Sequence, residues 1–568
     1  MKKTILILVS AFAFSGTFAQ ELPKWAKKAR KAVFSIITYN EDNKILNTGN
    51  GFYIDDNGTG ISDYSLFKGA HKAVVVTSDG KELPVKLILG ANDMYDVVRF
   101  RTEVVKKQES LIPASIAGKK DETVYLLPYS TQNSISGTTG TIQSVDSISK
   151  SSFYYTLSMK TGAKDVSCPL VNSNGEVIGI IQRNSGEEST ESYALGIEYA
   201  KGLTINALSG SDMTLKSIKI KKGLPEDESQ ALVFLYMMSS QLDQNEYLEL
   251  LNDFINMYPN NIEGYLRRAT YYMNITTDDD NIKRVEDDLK KMRDVAEKKE
   301  EAYYNTAKLL YNYSLGKKKE DLKADWNMER ALKEINSALD ITKEGLYYQV
   351  QGDIYFAMQK YPEASTAYEN VCKTNMASAE TFYSAAKAKE MIEGIDTKEV
   401  IALLDSTVSY YKEPYGTESA PYLYERARVK DNAKMYREAV ADYTLFYDAM
   451  LGQVTAEFYV IRQQAEMNCR MYQQAINDIN KAVEMEPDNV EYLVEKSGVH
   501  IRLNQQAEAV STLEKVLSLD PKNAIAYRML GYCQIKEKKT FKTGLNNLKK
   551  AEELGDSVAA GLIKKYNK

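Results

Sequence analysis

Histidine is almost missing from this chain: His71 and His500 are the only two in 568 residues. Chemistry that relies on an imidazole base or on clustered imidazole ligands therefore has little to draw on. Cysteine is also scarce, with Cys168, Cys372, Cys469 and Cys533 scattered and no C-x-x-C pair. That spacing speaks against a structural zinc site and against a disulfide framework. Buried free thiols are the expectation for the three distal cysteines. The formal net charge of −6 comes from mixed signs and gives no basic field, which argues against nucleic acid as a partner. Beyond the first residues no segment is apolar enough to span a bilayer.

What the chain does contain is ordinary globular material, 43% hydrophobic and 26% charged. Its length allows more than one domain. Forty tyrosines suggest side chains that pack through the ring and reach water through the hydroxyl. Residues 1–19 read as a secretory signal, with Lys2 and Lys3, the apolar run Ile5–Phe14, and Thr17-Phe18-Ala19 as a small-residue cleavage site before Gln20. No cysteine lies near that cut, so a lipid anchor is not expected. The expectation is a protein secreted across the inner membrane, with the periplasm as its compartment in a Gram-negative cell.

From Ala32 to about Ala200 the pattern is β. Runs such as Val33–Tyr39, Gly51–Ile54, Ala73–Thr77, Leu83–Leu89, Val97–Phe100, Thr123–Leu127 and Tyr154–Leu157 are β-branched or aromatic and are separated by turn signals. Many short strands at regular spacing predict a sandwich or barrel. The stretch Pro169–Val171 and Val177–Ile181 reads as two strands joined by the turn Asn172–Glu176.

Beyond about Leu224 apolar residues recur three and four apart, the helical period. A longer period is laid over it: Ala475 to Ala509 and Pro487 to Pro521 are each 34 residues apart. Gly352, Ala427, Ser497 and Gly531 are expected where paired helices cross closely, with Ala331, Ala364, Ala439, Ala475 and Ala509 as small residues on the second helices. The period and these residues resemble tetratricopeptide (TPR) repeats, and eight to ten helical hairpins are expected. Irregular loops are expected at Thr276–Asn281, Gly316–Asp325 and Lys412–Ala420.

The β region resembles trypsin-like serine peptidases of the HtrA type. Gly49-Asn50-Gly51-Phe52-Tyr53-Ile54 is similar to that family's Gly-Ser-Gly-Phe-x-Ile strand. Lys164-Asp165-Val166-Ser167-Cys168-Pro169-Leu170 is similar to its Gly-Asn-Ser-Gly-Gly-Pro-Leu nucleophile loop. The resemblance implies that Ser65 stands in the histidine position, Asp96 in the position of the orienting aspartate, and Val166 in that of the nucleophilic serine. Of the triad only the aspartate remains, and a buried Asp96–Ser65 hydrogen bond is expected in its place. His71 lies six residues past Ser65. Ser167 and Cys168 are shifted nucleophile candidates, with Lys164 as a conceivable base for Ser167. The glycines that the family uses to turn this loop and shape its oxyanion hole are Ser167 and Cys168 here.

The expected architecture is multidomain: a signal at 1–19, an all-β trypsin-like double barrel at 25–206, a link at 207–226, and an all-α TPR solenoid at 227–565. The TPR resemblance implies a groove that binds a protein or peptide. Its candidate lining is Gln349, Asp353, Phe356, Tyr424, Arg428, Gln464, Asn468, Arg502, Arg528 and Tyr532. No cofactor and no metal are expected. Two functions from different classes follow. One is an exported protein-binding scaffold whose peptidase-like domain is catalytically degenerate. The alternative is a serine-type endopeptidase, or one with an unusual serine or cysteine nucleophile, whose repeats recruit substrate.

Overall fold

A computed structural model describes residues 22–104, 106–131, 137–184, 191–275 and 278–566. The expected signal at 1–19 lies outside these residues. The chain divides into two compact units, Met1–Thr276 and Thr277–Lys568.

Twelve strands dominate the first unit: β1 (Val33–Tyr39), β2 (Ile45–Tyr53), β3 (Thr59–Ser62), β4 (Lys72–Val76), β5 (Glu82–Asn92), β6 (Val97–Thr102), β7 (Thr123–Leu126), β8 (Thr138–Ser149), β9 (Ser152–Leu157), β10 (Pro169–Val171), β11 (Val177–Ile181) and β12 (Ser192–Gly196). They close into two six-stranded antiparallel barrels, β1-β2-β3-β6-β5-β4 and β10-β11-β12-β9-β8-β7. The neighbour order of the second repeats that of the first. Closure leaves no free sheet edge. The interiors are filled by the inward residues of each strand: Phe34, Ile36, Val75, Ile88, Val98 and Phe100 in one, Val124, Ile142, Tyr155, Leu170, Ile178 and Ala194 in the other. The Asn172–Glu176 turn forms as expected. Asn172 Oδ1 accepts the amides of Asn174 and Glu176, both at 3.0 Å, and Gly175 takes a left-handed φ of 82°.

The stretch 207–226, expected as a short link, packs on the first barrel. Leu215, Ile218 and Ile220 join the core of the first barrel, together with Phe234, Leu235, Leu251 and Phe254 from the helices Glu228–Met238 and Gln244–Met257. Main-chain bonds hold this stretch on β5: Ile88 N–H donates to the Lys221 carbonyl and Gly223 N–H to the Ile88 carbonyl, each at 2.8 Å. Gly, Ser and Pro at its flanks mark turns, while the apolar residues between them are too few to show a helical or strand period. The first compact unit accordingly runs on to Thr276.

The second unit consists of consecutive antiparallel helix pairs. Seven follow Lys298, from Lys299–Ser314 with Met328–Ile341 to Ala524–Gln534 with Phe541–Glu553. The pair Glu228–Met238 and Gln244–Met257 of the first unit adds an eighth, and the helices Ile262–Ile275 and Asp279–Val295 follow it in the chain. Helices Val490–Arg502 and Ala524–Gln534 start 34 residues apart, as do Tyr472–Met485 and Gln506–Leu519. The recurring Pro-x-Asn that precedes two of them has a local cause. Asn489 and Asn523 are N-caps, whose side chains accept the amides of Glu491 and Tyr492, and of Ala526. The small residues lie at the helix crossings as expected: Ala331, Ala364, Ala427, Ala439, Ala475 and Ala509 are fully buried. At Gly352 an added Cβ would stand 2.5 Å from the Tyr368 ring, so only glycine permits that approach. The expected loops at 316–325 and 412–420 are present, whereas Asp279 already begins a helix within the third, 276–281.

Candidate functional site

The loop 164–168 enters β10 along a path set by its own backbone. Ser167 sits at a left-handed φ of 64°, a conformation that favours glycine and costs a serine about 1 kcal/mol. The conformation persists because its neighbours fix it. Ser167 N–H donates to the Ile181 carbonyl at 2.9 Å, and Cys168 N–H to that of Asp165 at 3.1 Å. From the first barrel Asn50 Nδ2 donates to the carbonyls of Lys164 at 2.9 Å and Val166 at 3.2 Å. The amides of Ser167 and Cys168 are thus committed within the protein.

Val166 is half-buried and Lys164 exposed. Among the described residues no hydrogen bond or ion pair joins Lys164 to Ser167, so the conceivable Lys–Ser pair does not form. Cys168 is fully buried in the second barrel's core, and burial pushes its thiol up to about 12. A thiol held that far above neutrality is a packing group and a poor nucleophile.

Ser65 lies on the short helix Tyr64–Phe67. Ser65 Oγ donates to Asp96 Oδ2 at 2.9 Å, and its amide to Oδ1 at 2.6 Å. The expected Asp–Ser bond is therefore present, but Ser65 is exposed rather than buried, and Asp96 is half-buried at a left-handed φ of 46°. The carboxylate lies at the amino end of the helix, where free amides favour negative charge.

Asp63 is the residue that reading along the chain did not single out. It is 2% exposed, its Oδ1 has no partner, and its carboxyl faces the hydroxyl of Ser167, itself 1% exposed. Burial, reinforced by the Asp96 charge, pushes it up to about 8, against the opposing pull of Ser167 and Arg183. An acidic residue that directly follows the apolar-glycine strand β3 was the available signal. The two histidines play other parts. His71 is exposed and gives its main-chain amide to Tyr39, and the buried His500 has Nδ1 2.8 Å from the side-chain oxygen of Gln505.

The candidate groove residues divide into two kinds. Several are tied into the repeats themselves. Asp353 accepts from Gln349 at 3.0 Å and from Tyr368 at 2.8 Å. Tyr424 packs on Tyr443 and Phe446. Arg428 bridges Glu390 and Glu425, which also pair with Lys387. Arg528 pairs with Asp556 at 2.7 Å, and Tyr532 lies beneath the Lys536 ammonium. Gln464, Asn468, Arg502 and Phe356 are exposed. Reading along the chain also missed two matching forks, the half-buried Arg426 on Asp442 and the buried Arg462 on Asp478. Each joins the first helix of a pair to its second, 16 residues on. Among the described residues no group of three or more His, Cys, Asp or Glu could hold a metal ion, and no helix is long and apolar enough to cross a membrane.

Comparison with known proteins agrees with this division. Residues 49–180 match the trypsin-like peptidase domain and residues 490–523 the tetratricopeptide repeat. The chain is similar to sperm-associated antigen 1 of Rattus norvegicus, 32% identical over 110 residues, which is 19% of this chain and 12% of that protein. It is also similar to the protein SGT1 homolog of Homo sapiens, 34% identical over 64 residues, 11% of this chain and 18% of that one. The chain thus spans less than a fifth of the length of either relative. Barrels, helix pairs and matches together identify a trypsin-like peptidase domain joined in one chain to tetratricopeptide repeats.

Proposed function

We propose that this protein is an exported scaffold whose repeats hold a partner protein or peptide and whose peptidase-like domain no longer cuts. Hydrolysis by a serine peptidase needs a hydroxyl to attack, a base to take its proton, and a group to orient that base. The observation that carries the reading is Ser65 occupying both oxygens of Asp96. The orienting carboxylate is thereby spent on a residue that cannot act as a base near neutral pH. The half-buried Val166 and the buried Cys168 thiol support the same reading. The exposed Arg502, Gln464 and Asn468 are the side chains proposed to meet the partner, since among the described residues these side chains make no ion pair or hydrogen bond within the repeats. Export rests on the composition of residues 1–19, and the periplasm is the proposed compartment.

A second reading keeps catalysis at Ser167, with Asp63 facing its hydroxyl. The near-complete burial of both groups weighs against it, because a substrate carbonyl must reach the nucleophile. Treatment of the purified full chain with a fluorophosphonate and with iodoacetamide separates the two. The scaffold reading expects no labelling of Ser167 or Cys168 in the folded protein. Labelling of either that is lost on substitution by alanine would overturn it. Capture of a partner by the full chain should weaken in Arg502→Ala/Gln464→Ala, and unchanged capture would remove these residues from the groove.

A further inference from the structure

The stretch 207–226 builds a pocket of about 420 Å³ together with the helices Glu228–Met238 and Gln244–Met257. Its lining is two-natured. Leu215, Phe234, Met238, Leu242 and Leu250 make an apolar surface, while Lys216, Lys219, Lys221 and Lys222 stand around it with Glu246 and Glu249. The volume lies within the range of about 300–1,000 Å³ common for small-molecule sites.

The lysines are not equivalent. Lys221 is neutralised by Asp253 at 2.7 Å and Glu249 at 3.4 Å. Among the described residues Lys216, Lys219 and Lys222 have no carboxylate in ion-pair contact. Lys222 is half-buried, and its ammonium donates to the Ile218 carbonyl. The backbone on both sides of it is held to β5 by the Ile88 bonds, so the side chain projects from a fixed frame. Burial and the neighbouring Lys219 hold its ammonium down at about 8, with Glu246 acting in the opposite sense. A cation that has lost part of its hydration and faces a second cation is stabilised by an incoming anion.

We propose that this pocket binds a small anionic amphiphile, an apolar chain with a carboxylate head, the chain lying on Phe234, Met238 and Leu250 and the head between Lys219 and Lys222. The proposal concerns a site apart from the candidate groove residues 349–532 and does not depend on whether the peptidase-like domain cuts. Apolar burial holds the chain without direction, and the two ammonium groups select the head. The pocket is too small for a folded partner's helix, which is about 10–12 Å across with its side chains.

Calorimetric titration of the full chain with decanoate and with decanol tests this. Decanoate should bind at least tenfold more tightly than decanol, and Lys219→Gln/Lys222→Gln should bring it down to the level of the alcohol. Methyl-labelled methionine should report contact at Met238 on adding decanoate. Equal affinity for the two ligands, no binding of decanoate, or an unmoved Met238 signal would each overturn the proposal. So would an acetylated apolar hexapeptide that binds more tightly than decanoate. Because the comparison of acid with alcohol uses the unaltered protein, the test stands even if the double variant folds poorly.

Discussion

Ser65 holds Asp96 by two bonds, hydroxyl to Oδ2 at 2.9 Å and amide to Oδ1 at 2.6 Å. The serine does for the carboxylate what an imidazole would have done sterically, without supplying a base. Replacing Asp96 by asparagine removes the charge that both donors favour. The expected cost is about 1 kcal/mol, below the range of about 1.5–3 kcal/mol for hydrogen bonds to charged groups because this one is partly solvated. Urea unfolding followed on residues of the first unit should show it, and an unchanged midpoint would mean that the pair contributes nothing.

Asp63 makes the first unit's stability depend on pH. Burial holds its folded pKa at about 8, above an unfolded value near that of a free aspartate, about 3.9. The folded state therefore binds the proton more tightly. Stability is fully present below about pH 4, falls as pH rises, and reaches its lower plateau once pH passes about 8. Asp63→Asn removes the titration and keeps the shape. It should flatten the dependence and raise stability at pH 8 and above, as read by denaturant midpoints across that window. A variant that keeps the wild-type slope would locate the proton elsewhere.

The four thiols should differ in reactivity. Cys168 and Cys533 are buried, whereas Cys372 and Cys469 are half-exposed. Iodoacetamide at pH 8, followed by peptide mass analysis, should modify Cys372 and Cys469 first in the folded protein. Cys168 should react only after denaturation, since burial pushes its thiol up to about 12. Early modification of Cys168 would show that the 164–168 loop opens.

Two arginines of the candidate groove should behave in opposite ways. Arg428, with Lys387, holds the Glu425 carboxyl down at about 2. A folded value below the unfolded one gives stability that is present above about pH 4.5 and lost as pH falls toward 2. Arg428→Ala should lower the melting stability of the repeats by about 1 kcal/mol, a figure reduced for solvent screening of a partly exposed network, and should blunt this acid dependence. Arg502→Ala, on an exposed side chain, should stay within about 0.5 kcal/mol of the parent. Thermal melts at pH 7 and pH 3 check both, and a large loss on Arg502→Ala would place it among the structural arginines.

Much of this protein was determined by its sequence alone, and for local reasons. Strand β1 (Val33–Tyr39) and the hairpin Pro169–Ile181 follow from β-branched runs and an Asn-Gly-bearing turn, all set within a few residues. The repeats follow from a 34-residue period because each helix pair buries its small residues against the same kind of neighbour. Strand β8 was not legible: Thr138–Ser149 is polar along most of its length, and only Ile142 is buried. Barrel closure, not its own composition, holds it extended. Only the tertiary structure decided three further things, each through contacts between residues far apart in the chain. It made 207–226 the wall of a pocket, because Leu215, Ile218 and Ile220 reach the core of the first barrel. It brought Asp63 to Ser167, 104 positions apart, and buried both. It also tied Arg428 and Arg528 to carboxylates within the repeats, while Arg502 stays in solvent. Periodicity fixes which face of a helix is apolar, but which charge finds a partner depends on what the neighbouring helices present.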